Sequence, residues 1–260
     1  MDDLSPGALL TFNNRANLGN YLTSVEEIAP SLFYVYSERV GDPYCNLAYR
    51  SDLGPLTDSQ VKTLEKEAAH KSRAPSIWQI GKTIPGGYAI TNREVCMVAD
   101  LAGLPHLDSP ANVEVKIETP LPAEAMVKVF SDVFCESDNI GYLAFAKEYA
   151  GVFRTGIPNK PARTFHTGLY IDGTCVAIST VTLIDDMAGL YSVAVERGHR
   201  RKGFGKFVTY QGMKLAEREG ATKIMLFTSP DTFMQMMYES IGFKSAFVVE
   251  IVTKTKKPSR

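Results

Sequence analysis

An apolar, β-branched run, Leu190-Tyr191-Ser192-Val193-Ala194-Val195, leads through Glu196-Arg197-Gly198-His199 into Arg200-Arg201-Lys202-Gly203-Phe204-Gly205, and an amphipathic helix pattern follows. That succession predicts a strand, a tight basic turn and a helix in a row, and so a sheet with helices laid on it. Glycine has no Cβ to hold an anion off the backbone, so amides around Gly203 and Gly205 can converge on a single anion. The helix adds its unpaired first-turn N–H groups and the positive end of its dipole. Arginine and lysine beside such a turn suit a diphosphate.

Spacing separates the phosphate loops that compete for this reading. The dinucleotide fingerprint G-x-G-x-x-G fails at its third glycine, where Val208 stands. A Walker loop at Gly81-Lys82-Thr83 fails too, because Ser76 occupies the position of its first glycine. What remains is V-x-x-x-x-[QR]-x-x-G-x-G over residues 195–205, and on it the chain resembles the GNAT superfamily of acetyl-coenzyme A-dependent N-acetyltransferases. A basic glycine turn that merely links a strand to a helix is the plain alternative. Context favours the resemblance: Phe204, Phe207, Val208, Gln211, Gly212, Leu215 and Ala216 share one helical face, and Gly220 marks the helix end.

The resemblance implies an α/β (α+β) fold, with a mixed central sheet flanked by helices. Its reaction passes the acetyl group of acetyl-CoA directly to a primary amine. By the same likeness, coenzyme binding falls to Val193, Ala194 and Val195, on a strand that splays from its neighbour and frees amides to polarise the acyl carbonyl. It falls equally to Arg200, Arg201, Lys202, Gly203, Phe204, Gly205 and Lys206. Tyr238-Glu239-Ser240-Ile241-Gly242-Phe243 is similar to the family's Y-E-x-x-G-F segment, which implies that Tyr238 protonates the departing thiolate. A tyrosine in an apolar helix also serves simply as core. That helix is expected to bury Phe233, Met236, Met237, Ser240 and Ile241.

A base for the attacking amine is harder to place. Several family members carry a glutamate early in the central strand, but the comparable position here is near Gly189. His166, Asp185 and Asp186 are candidates, each with a structural reading as a sheet or turn residue, and a water chain is a further option. Tyr142, His166 and Tyr191 are the candidate acceptor-site residues. Without the carboxylate near Gly189, a catalytically silent acyl-CoA-binding sensor or scaffold is the rival function. No motif places a cysteine for a covalent intermediate.

The remaining pattern predicts a strand at 113–118, helices at 122–134 and 140–153, and strands at 164–170 and 174–183 around the hairpin signal Asp172-Gly173. A strand at 223–228 and last strands within 243–253 complete a catalytic domain over 111–260. Residues 1–110 read as an accessory domain: helix-prone and loop-rich over 1–31, strands at 33–40 and 45–49, a helix at 57–71, and strands at 76–80 and 95–101. Ala74-Pro75-Ser76-Ile77-Trp78 and Met97-Val98-Ala99-Asp100-Leu101 resemble an accessory module of some family members, a degenerate acetyltransferase-like half with no phosphate loop. Two prolines within 104–110 make that segment the linker.

Hydrophobic residues make up 45% of the chain and charged residues 22%, enough to bury a core, and a net charge of −1 gives no nucleic-acid footprint. No apolar run approaches the roughly 18 residues of a membrane span. The start, Met1-Asp2-Asp3, lacks a secretory pattern. Cys45, Cys96, Cys135 and Cys175 show no C-x-x-C spacing, which argues against zinc. The expectation is a cytoplasmic, metal-free acyltransferase whose partners are acetyl-CoA and an amine, with no nucleic acid or membrane. Its oligomeric state is open, a homodimer included.

Overall fold

Eleven extended runs hydrogen-bond into one sheet. The structure, a computed structural model, describes residues 4–81, 83–135 and 144–255. The chain forms α1 (Pro6–Asn17), β1 (Ser24–Ala29), β2 (Leu32–Tyr36), β3 (Leu47–Arg50), α2 (Asp58–His70), β4 (Ser76–Gln79) and β5 (Tyr88–Asp100). Beyond residue 110 come β6 (Glu114–Glu118), α3 (Glu124–Cys135), α4 (Ala146–Thr155), β7 (Arg163–Ile171), β8 (Thr174–Ile184) and β9 (Met187–Val195). The last elements are α5 (Phe204–Arg218), β10 (Lys223–Thr228), α6 (Phe233–Glu239) and β11 (Lys244–Lys254). Among the described residues, no helix is long and apolar enough to cross a membrane.

Strand order across the sheet is β1-β2-β3-β4-β11-β5-β10-β9-β8-β7-β6. Exchanging β1 to β5 with β7 to β11 reverses that order onto itself and leaves only β6 outside. The two halves are therefore topological repeats, each with three antiparallel strands, a helix, a fourth strand parallel to the third, and a last strand. Their last strands are traded. β11 lies between β4 and β5, pairing Ile251 with Trp78 on one side and Glu94 with Val249 on the other. The second half of β5 in turn pairs with the whole of β10, from Lys223 opposite Asp100 to Thr228 opposite Val95. One apolar cluster accordingly joins Leu47 and Trp78 to Phe130, Phe153, Ala194 and Ile251.

Local chemistry explains the element ends. Thr57 caps α2 in a capping box with Gln60, and the Asp172-Gly173 hairpin has both residues at positive φ. β1 departs from the helix-and-loop expectation for residues 1–31. It is a half-exposed edge strand, so Ser-Val-Glu-Glu-Ile-Ala never had to show a clean apolar alternation. α6 also departs: Phe233 and Met236 are 73% and 60% exposed, whereas Tyr238 and Ile241 are the buried pair. A helix of under two turns leaves the direction of its buried face to tertiary contacts, here the edge-on packing of Tyr238 against Phe243 at 5.7 Å.

Candidate active site

The turn from β9 to α5 is built to meet an anion. Glu196 N donates to Val176 O at 2.9 Å, and His199 Nδ1 lies 2.5 Å from Glu196 Oε2, holding that carboxyl below its usual range. Arg200 Nε donates to Val195 O at 3.1 Å and ties the turn to the strand end. Arg201 and Gly203 then take left-handed backbone, with φ of 61° and 85°. A side chain at Gly203 would cost about 1–2 kcal/mol there. No side chain caps α5, so its first-turn amides at Phe204, Gly205 and Lys206 are left to an outside acceptor. Arg201 and Lys202 are exposed, and neither joins an ion pair among the described residues. An uncapped helix start, two glycines and exposed cations together make a place that can meet an anion.

Beside that turn the sheet opens. β9 and β10 pair only from Met187 to Gly189 opposite Lys223 to Met225. Beyond Gly189 the edge of β9 that faces β10 has no strand partner among the described residues. On its other edge the ladder to β8 shifts register between Ile178/Ala194 and Thr180/Tyr191, a bulge with Ser192 at φ 53°. Ala194 and Val195 stay paired to β8, whereas Val193 lies within the bulge and lines a cavity of about 560 Å³. This cavity is walled by Leu190 to Val193, by Leu226 to Ser229, by Met234 and Tyr238 of α6, and by Asn13, Asn14 and Asn17 of α1.

Tyr238 is 6% exposed, lines the cavity and makes no hydrogen bond within the described chain; burial alone pushes its phenol well above the usual range. Tyr191 lines the same cavity, donates to Asn13 Oδ1 at 3.2 Å, and is likewise raised by burial. His166 lies elsewhere. Its Nδ1 is 2.9 Å from Thr180 Oγ1 and its Nε2 is 3.2 Å from Pro120 O, in a smaller recess where burial lowers its pKa to about 4. Asp185 and Asp186 form the β8–β9 turn, at the far end of β9 from the opening. Tyr142 falls outside the described residues.

Gly189 has a steric reason to lack a side chain. A Cβ there would come within 2.3 Å of the Tyr191 hydroxyl and 2.6 Å of its ring. The tyrosine fills the space that a carboxylate at 189 would need.

One ionisable group on the cavity wall was not foreseen. Glu94 projects from β5, half-buried, accepts a hydrogen bond from the Tyr44 hydroxyl, and is pushed up to about 7 by desolvation and the neighbouring Asp42 charge. The expected strand spans residues 95–101, whereas β5 starts at Tyr88 and includes Glu94. Period-two alternation carried back from Cys96 and Val98 was the signal that could have found it. Tyr44 and Trp78 stand beside it, T-shaped at 6.4 Å, and Trp78 packs on Phe227 at 5.1 Å. Among the described residues no cluster of His, Cys, Asp and Glu is arranged to hold a metal.

A mixed sheet whose parallel strands β9 and β10 part, with a helix N-terminus at the opening, defines a class. Residues 128–243 match the Acetyltransferase (GNAT) family, and the chain carries a GNAT acetyltransferase domain over that span. A GCN5-related N-acetyltransferase from Kribbella flavida superposes over 98% of this chain and 97% of its own, with TM-score 0.67 and 17% identity. A GCN5-related N-acetyltransferase from Sphaerobacter thermophilus does so over 88% and 78%, at TM-score 0.58 and 12% identity. A tandem GNAT protein from the clavulanic acid biosynthesis pathway covers 85% and 77%, at TM-score 0.54 and 16% identity. No curated protein sequence matches this chain. The protein is an acyltransferase with a GNAT fold.

Proposed function

We propose that the protein transfers the acetyl group of acetyl-CoA to a primary amine by direct attack. The observation that carries this reading is the parting of β9 from β10 into a cavity that has Tyr238 on its wall and the amide-rich turn at its end. Arg201, Lys202 and the first-turn amides of α5 would take the diphosphate, with the pantetheine arm laid along the open edge of β9. Amides in the bulge around Val193 would polarise the thioester carbonyl as charge builds on its oxygen. Tyr238, with no hydrogen-bond partner among the described residues and a raised pKa, holds its proton until a thiolate forms nearby.

Tyr238→Phe is the test. Acetyl transfer should fall by about 100-fold or more, while calorimetry shows acetyl-CoA binding unchanged. Undiminished transfer by the variant would remove Tyr238 from the reaction. Absence of acetyl-CoA binding by the wild type would remove the donor.

A further inference from the structure

The structure assigns Glu94, contributed by the first half of the chain, as the base of the reaction, and a small monoamine with an apolar body as its acceptor. This rests on the acetyl-transfer reading above. The position where a base is expected on β9 is closed by the Tyr191 ring, which leaves no room for a side chain at Gly189. His166 has both ring nitrogens engaged outside the large cavity. Among the described residues Glu94 is the sole carboxylate lining that cavity, and none of its described lining residues is a lysine, arginine or histidine.

Charge and surface define the acceptor. A single carboxylate matches a single ammonium group. A polyamine or an aminoglycoside would bring cations that find no partner, and a free amino acid would bring a carboxylate with no cation to meet it. Tyr44, Trp78 and Phe227 continue from Glu94 as touching rings, a surface for an aryl or alkyl body and a favourable face for its ammonium. The volume of about 560 Å³ holds a small amine beside the acyl end of the donor.

Each proton has a place. Glu94 takes one from the bound ammonium, and the neutral nitrogen forms its bond to the thioester carbon. The C–S bond then breaks with its electron pair on sulfur, Tyr238 protonates the sulfur, and the nitrogen's surplus proton restores the phenol. Glu94 releases its proton to solvent, leaving amide, free thiol and one proton. Tyr44 and Asp42 act on Glu94 directly, Cys96 lies on its own strand, and Tyr21, Cys45, Tyr149, Tyr191 and Tyr238 share the cavity wall with it. Burial pushes the phenols of Tyr21, Tyr44, Tyr191 and Tyr238 and the thiols of Cys45 and Cys96 upward, away from neutrality, and Asp42 does not line the cavity. Desolvation pushes Glu94, the carboxylate on that wall, up to about 7.

Steady-state transfer from acetyl-CoA by the full chain tests this, with 2-phenylethylamine, hexylamine, spermidine, an aminoglycoside and phenylalanine as acceptors. The two apolar monoamines should lead. Glu94→Gln should lower kcat/KM for the better of them by about 100-fold or more, keep the acetyl-CoA dissociation constant within about twofold, and abolish an acid limb that Glu94→Asp retains. Retained activity in Glu94→Gln, an unmoved pH profile, or loss of acetyl-CoA binding in that variant overturns the base. Preference for spermidine, the aminoglycoside or phenylalanine overturns the acceptor class. These failures leave the acetyl-transfer reading standing, whereas a wild type that binds acetyl-CoA and acetylates none of the five overturns both assignments.

Discussion

Burial keeps His166 neutral, and that has a measurable cost. Its pKa falls from the ordinary 6.5 to about 4 because the ring is desolvated, only partly offset by the bond to Pro120 O. The unfolded chain then binds more protons than the folded one between pH 4 and 6.5, so stability rises with pH across that window and is complete above it. At most the histidine accounts for about 3 kcal/mol. His166→Gln should flatten that part of the profile: urea midpoints at pH 4.5 and 7.5 should lie closer together in the variant than in the wild type. An equal spacing in both would show that the ring is solvated. The same residue was a candidate base from sequence, and only packing shows its nitrogens to be engaged.

At the scale of elements, the β9–α5 unit makes its own prediction. Arg201 and Lys202 are exposed and join no ion pair among the described residues, so reversing both to glutamate should leave the melting temperature within a few degrees. Coenzyme A affinity should drop by about tenfold or more at low salt, and less at high salt. Equal affinity in wild type and variant would exclude the turn as the diphosphate site. This unit was legible because its signals are local: a β-branched run, a glycine pair, a helical stripe and a terminal glycine fall within thirty or so consecutive residues. α6 was legible as a helix but not in its orientation, since seven residues do not define a face. The start of β5 was missed because Asn92 and Arg93 are polar and Glu94 turns inward, and what it faces comes from α1, β9 and the segment around Tyr44. Those neighbours are set by pairing between distant strands, which no window of sequence contains. The turn and Tyr238 could thus be read in advance; the opposite wall of the cavity could not.

Across the whole molecule, the traded last strands set the unit of folding. Residues 1–110 alone would leave β4 and β5 without the strand between them, and residues 111–260 alone would leave β11 with neither neighbour. Each fragment should be insoluble or unfolded by circular dichroism when expressed singly, and the two should copurify as a folded pair when coexpressed. A stable, monomeric, coenzyme-binding 111–260 fragment would refute that interdependence. The trade has a further effect during synthesis. Ser76 must wait for Thr253, a separation of 177 positions, before its side chain meets its partner. A nascent chain emerging from the ribosome therefore carries an open, apolar strand edge until β11 has been translated, and it is in that interval that a chaperone has most to protect.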